Sequence, residues 1–139
     1  MLKVVVDTSV FVAGMLTKNQ ASSPAQLISM WKNGAFTLVM SPQILREIVA
    51  KLIDKDIDHA AIFDLVRSIA RLALQIEGIY ESTKLDKIDP KDNMFLAAAY
   101  EAGADYLISY DAHLLHLKHF HKTQILLPHL LMRHLIENK

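Results

Sequence analysis

Leu2-Lys3-Val4-Val5-Val6-Asp7-Thr8-Ser9 is the stretch whose reading decides the fold. Three consecutive β-branched apolar residues are what a strand covered on both faces looks like. The run stops at a carboxylate. In a parallel sheet that places Asp7 at the carboxyl end of a strand, where open α/β sheets hold their ligands. Nothing about a strand end demands an acid, and a buried charge is costly unless it is paired or binds a metal. The remaining question is what faces Asp7.

Outward from this strand, helical and strand-like segments alternate. Val10 to Leu16 is apolar and gives way to Lys18-Asn19-Gln20. Ser23-Pro24 starts a helix to about Asn33, with Leu27, Ile28 and Trp31 facing the sheet. Phe36–Met40 reads as a second buried strand. Ser41-Pro42 repeats the cap signal for a helix to about Ile53, and another helix runs from His59 to about Leu72. Ala73–Ile76 reads as a short strand and 81–88 as irregular. A helix opens at Asp89-Pro90-Lys91-Asp92 and ends at Gly103. Asp105–Ser109 is a strand, Asp111 starts a short helix through Leu117, Gln124–Leu127 is an edge strand, and Pro128 to about Glu137 is the last helix. This alternation predicts an α/β fold, a three-layer α/β/α sandwich on a central parallel sheet of four to five strands. No repeat or linker divides the chain, so residues 1–139 are expected to form a single domain.

Composition limits the function. Apolar residues make up 52% of the chain, enough for a real core and an apolar oligomer surface. Lys+Arg and Asp+Glu both number 15, so no overall basic footprint marks a nucleic-acid binder and any such role must rest on a local site. The absence of cysteine excludes disulfides, thiolate metal sites and a Cys nucleophile. The N-terminus does not read as a signal peptide, and no stretch is long and apolar enough to span a membrane. A cytoplasmic protein is expected.

Four acids hold comparable places. Asp7 and Asp111 follow strands, Glu47 lies in the helix after the second strand, and Asp92 opens a helix. Each of the last three has a plain structural reading. Glu47 can pair with Lys51 across one helical turn, worth ~0.2–0.5 kcal/mol. Asp89 and Asp92 can cap or favour a first turn, and Asp111 can be an N-cap. Taken together they read as a cluster. Close carboxylates repel, and one must protonate unless a cation lies between them. All-oxygen ligands suit Mg²⁺ or Mn²⁺, which bind phosphate oxygens and activate water. That reading puts Asp7 within ~5–8 Å of Asp92 and Asp111 and turns Glu47 into the same pocket.

These residues also resemble a family. Val5-Val6-Asp7-Thr8-Ser9-Val10, Ser41-Pro42-x-Ile44-Leu45-x-Glu47, Asp89-Pro90-x-Asp92-Asn93-x-Phe95-Leu96-Ala97 and Gly103-Ala104-Asp105-Tyr106-Leu107-Ile108-Ser109-x-Asp111 resemble, in order and spacing, the PIN-domain ribonucleases. The closest likeness is to the VapC-like toxin components of bacterial toxin–antitoxin pairs. The resemblance implies strand order 3-2-1-4-5 with the first strand central. It implies catalytic acids at Asp7, Glu47, Asp92 and Asp111, with one or two Mg²⁺ or Mn²⁺ ions held by Asp7, Asp92 and Asp111. It also implies an RNA substrate, an antitoxin protein and a homodimer or higher homo-oligomer as partners. Ser9 and Ser109 fall at hydroxyl positions that orient carboxylates or water, and Asn93 follows the third acid as in the subgroup. Tyr110 stands where the family has glycine. It can narrow the pocket, stack on a base or turn outward.

His113, His116, His119 and His121 cluster with Lys118 and Lys122. The i,i+3 steps from 113 to 119 would allow three histidines on one helix face; an ordinary surface is the preferred reading, with an RNA contact next and a transition-metal cluster as a further alternative. Tyr110, His113 and Lys118 are the candidate RNA contacts. Trp31 and the phenylalanines read as core. Leu126–Leu131 reads as core, or as a dimer or antitoxin surface. Two other functions compete with the nuclease. One is a non-catalytic module that binds RNA or a partner. The other is an aspartyl phosphotransferase with Asp7 as nucleophile, disfavoured by Ser9 standing where such enzymes carry a second Asp.

Overall fold

The computed structural model describes residues 1–138. In chain order the elements are β1 (Lys3–Val6), α1 (Thr8–Leu16), α2 (Ser23–Lys32), β2 (Thr37–Met40), α3 (Pro42–Asp54), α4 (His59–Leu72), β3 (Leu74–Gln75), a 3₁₀ turn (Pro90–Asp92), α5 (Asn93–Ala102), β4 (Tyr106–Ile108), α6 (Ala112–Leu117), β5 (His119–Phe120), β6 (Thr123–Leu126) and α7 (Pro128–Glu137). The sheet order is β3-β2-β1-β4-β6-β5. All pairings are parallel except β5 with β6. The expected order 3-2-1-4-5 holds for the parallel strands, because β6 is the strand expected at Gln124–Leu127.

The sixth strand, β5, was not expected. Lys118 and His121 adopt positive φ, 64° and 52°, and turn the chain back on itself around His119-Phe120. Neither is Gly or Asn, so the usual signature of such turns is missing. The hairpin also corrects the expected histidine face: α6 ends at Leu117, and His119 belongs to a strand.

Val4 and Val5 point to opposite faces of β1 and are both fully buried, so helices cover both faces. α5 packs across β1, β2 and β4, and its Ala97-Ala98-Ala99 run permits that close approach. α1 packs against α2 and α3, and α7 against α2. α1 begins directly after Asp7 and carried no periodic signal, since a helix in contact on several sides has no polar face to set a period. Ser41 caps α3 as expected, its Oγ accepting from Ile44 N at 3.2 Å. For α2 the cap is Ser22, one residue earlier than expected, and Pro24 lies in the first turn. Trp31, Phe11, Phe36 and Phe95 are core residues, but Phe63 is 64% exposed, with Arg67 over its ring. Leu131 is buried, and Leu126 and Leu127 are half-buried. Among the described residues no helix is long and apolar enough to cross a membrane.

Candidate active site

The register of β1 against β4 builds the site. Val6 pairs with Ile108, and Asp7 N donates to Ile108 O at 2.8 Å. Ser109 therefore emerges beside Asp7, although 102 residues separate them. Its hydroxyl donates to Asp7 Oδ2 at 2.6 Å and accepts from Asp111 N at 2.8 Å. One fully buried hydroxyl thus links two of the acids. Ser9 N donates to Asp7 Oδ1 at 3.3 Å, which makes Asp7 the N-cap of α1. A strand end followed at once by a helix does give an acid a structural role, contrary to the sequence reading.

Asp92 arrives from the other side of the cleft on the 3₁₀ turn. Residues three apart are eclipsed in 3₁₀ geometry, so Asp89 is brought into line with Asp92. Carboxylate oxygens of Asp89, Asp92 and Asp111 all lie within 4.8 Å of one another. Asp89 is the acid that sequence reasoning missed. It was read as a cap, yet neither Asp89 nor Asp92 makes a side-chain cap bond. The proline that marks a helix start at Asp89-Pro90 also allows a tight turn, and three-residue spacing was the available signal. Asp111 does both jobs: its Oδ1 accepts from His113 N at 2.7 Å and Leu114 N at 3.4 Å while the residue faces the cluster.

The electrostatics follow from burial and crowding. Asp92 is pushed up to about 8, first by burial, then by a proton-sharing contact with Asp111 and the charges of Asp7, Asp111 and Asp89. Asp7, 5% exposed, is also raised, chiefly by burial, with the Ser109 and Ser9 hydrogen bonds opposing. Asp7 lies outside the 4.8 Å set, but its charge bears on Asp92 and Asp111's charge bears on it. Asp92 Oδ2 is buried with no hydrogen-bond partner, as is Oγ1 of Thr8, which also lines the cleft. Crowded, raised and unpartnered oxygens fit a hard divalent cation, which supplies the missing positive charge and satisfies the orphaned atom.

The cleft has a volume of about 590 Å³. Glu47 is half-buried and lines it, and makes no ion pair with Lys51. Ser9 lines it too, as does Tyr110 at 45% exposure. Of the alternatives for Tyr110, the structure places it in the cleft wall, partly open to solvent. His113 and Lys118 are exposed and do not line the cleft. Asn93 is turned to other partners. Its Oδ1 accepts from Leu85 N at 2.9 Å and its Nδ2 donates to Asp86 at 2.8 Å, so it ties down the segment that carries Asp89.

The PIN domain family model matches residues 3–113. The chain belongs to that family. The fold is shared with a chain of the crystal structure of VapBC2 from Rickettsia felis bound to a DNA fragment from their promoter. The TM-score is 0.60 at 12% identity, covering 90% of this chain and 98% of that one. A search of curated protein sequences gave no match.

Proposed function

We propose that the chain forms one PIN-like domain acting as a metal-dependent endoribonuclease, the toxin of a cytoplasmic toxin–antitoxin pair. The observation that carries this reading is the carboxylate cluster of Asp89, Asp92 and Asp111 with Asp7 behind it in the electrostatics and one buried oxygen unpartnered. Asp7, Asp92 and Asp111 are the metal ligands, and Asp89 joins them. One or two Mg²⁺ or Mn²⁺ ions held there would supply Lewis-acid activation of the phosphate and of an attacking water. The chain's own groups do the rest. Ser109 fixes the orientation of Asp7 and the start of α6. Glu47, on the cleft wall, accepts a proton from the nucleophilic water. The family membership supports the nuclease reading, and the likeness to a VapBC2 chain supports an antitoxin partner.

A phosphotransferase is less well supported, since both Asp7 oxygens already accept hydrogen bonds. The test is cleavage of single-stranded RNA by the purified chain with Mg²⁺, Mn²⁺ or EDTA. Cleavage is expected only with metal, and Asp7→Asn is expected to lower it by about 100-fold or more. Metal-independent cleavage, or full activity in that variant, overturns the reading. Mn²⁺ binding without cleavage favours the non-catalytic module.

A further inference from the structure

One stripe of α3 carries Gln43, Glu47 and Lys51, each one turn beyond the last, and the C-cap residue Lys55 continues it at the same spacing. Glu47, Lys51 and Lys55 all line the acidic cleft. The stripe therefore changes sign along its length, from a carboxylate near the cluster to two ammonium groups farther along the helix. A helix C-terminus favours cations in general. That accounts for the charge of the two lysines but not for their facing this cleft. Among the described residues neither makes an ion pair, even though Glu47 stands at the position from which Lys51 is reached in one turn. The same cleft presents two exposed nonpolar side chains, Leu16 at 47% and Tyr110 at 45%.

The chain carries no net charge, so the overall field does not draw a polyanion toward four carboxylates and local cations must do so. Two free cations about 6 Å apart along the helix axis offer a place for successive phosphates of an extended strand. Leu16 and Tyr110 offer surface to unstacked bases. We propose that Lys51 and Lys55 are positioning residues that hold the backbone of a single-stranded RNA on the α3 side of the cleft, next to the carboxylates. This inference rests on the nuclease reading for its substrate, and it replaces His113 and Lys118 as the RNA contacts.

The test separates binding from cleavage. Binding of a labelled single-stranded RNA is measured by anisotropy over a salt series, with Mn²⁺, in an Asp7→Asn background. Cleavage kinetics are measured in the otherwise native chain. Replacing Lys51 and Lys55 by Ala is expected to weaken binding ~10-fold or more and to lower the slope of log K against log salt by about 1.4, the value for two lost single-strand phosphate contacts. KM is expected to rise by a similar factor with kcat changed less than about twofold. Replacing both by Arg restores affinity and slope, and Lys32→Ala, on the exposed part of α2, leaves both unchanged. An unchanged affinity and slope in the double Ala variant overturns the proposal, as does failure of the Asp7→Asn chain to bind RNA at low salt. Weakened binding of an acidic peptide with RNA binding intact also overturns it, assigning the lysines to a protein partner. If the native chain cleaves no RNA but the double variant loses RNA binding and slope, the nuclease reading falls and the lysine assignment stands.

Discussion

Ser109 is the residue on which the site's geometry turns. Its hydroxyl proton is committed to Asp7, and its oxygen receives the Asp111 amide. Ser109→Ala removes a hydrogen bond to a charged group, worth about 1.5–3 kcal/mol. That bond holds Asp7's pKa down against burial, so its loss raises it further. The ascending limb of the pH–rate profile is therefore expected to move to higher pH in Ser109→Ala. An unmoved limb rules out an ionised Asp7 as the group that limb reports. Asp92 makes a second prediction, about stability. Its folded pKa, about 8, lies above the ordinary aspartate value of 3.8. A raised carboxyl favours the protonated fold, so its stabilising effect is full below 3.8 and lost as pH rises toward 8. In EDTA the melting temperature is expected to fall across that interval. Mn²⁺ is expected to reverse the fall, and Asp92→Asn to abolish it. A melting temperature in EDTA that is flat over the interval would contradict this.

At the scale of elements, the segment 77–89 delivers Asp89 without regular secondary structure to hold it in place. Its anchors are Asn93, Glu101 and Gln43, whose Nε2 donates to Gly78 O at 2.8 Å. The Glu101 carboxylate accepts from Gly78 N at 3.0 Å, Ile79 N at 2.8 Å and Tyr80 N at 3.0 Å. Those donors hold its pKa below 4.5. Its contribution thus has the opposite sign to that of Asp92, present above 4.5 and lost on acidification. Glu101→Ala is expected to speed amide exchange at residues 78–80 while β1 and β4 amides keep their protection. Equal protection in the two proteins would show that the anchor is redundant. Sequence showed little of this segment. Caps and prolines announced α2, α3 and α5, because capping is local chemistry written in two or three residues. The tether from Glu101 to the 78–80 backbone has no local signature, since its acceptor and donors lie more than 20 residues apart. The same limit hid the true partners of Asn93, read as part of the acid site by its position next to Asp92.

For the whole molecule, the valine run correctly marked the central buried strand, and the acids after strands lie at the sheet edge where the carboxylates gather. The strand order itself came from family resemblance, since nothing in periodicity says which strand neighbours which. The plain readings of the acids separated in an instructive way. Asp111 is both cap and site residue, Asp92 caps nothing, and Glu47 leaves Lys51 unpaired. Asp89, dismissed as a cap, joins the cluster. A carboxylate's neighbours are set by topology, and one sequence position carries only a fraction of that information.

The 102-residue gap bridged by Ser109 and Asp7 also has a temporal meaning. Synthesis proceeds from the N-terminus, and β1 emerges first. Until β4 follows, Asp7 has no hydroxyl donor, Asp111 does not exist, and the cleft lacks one wall. Long-range pairing of this kind closes late because the intervening loop must be ordered first. The acidic cluster therefore assembles only when the ribosome has passed the codons for β4 and α6.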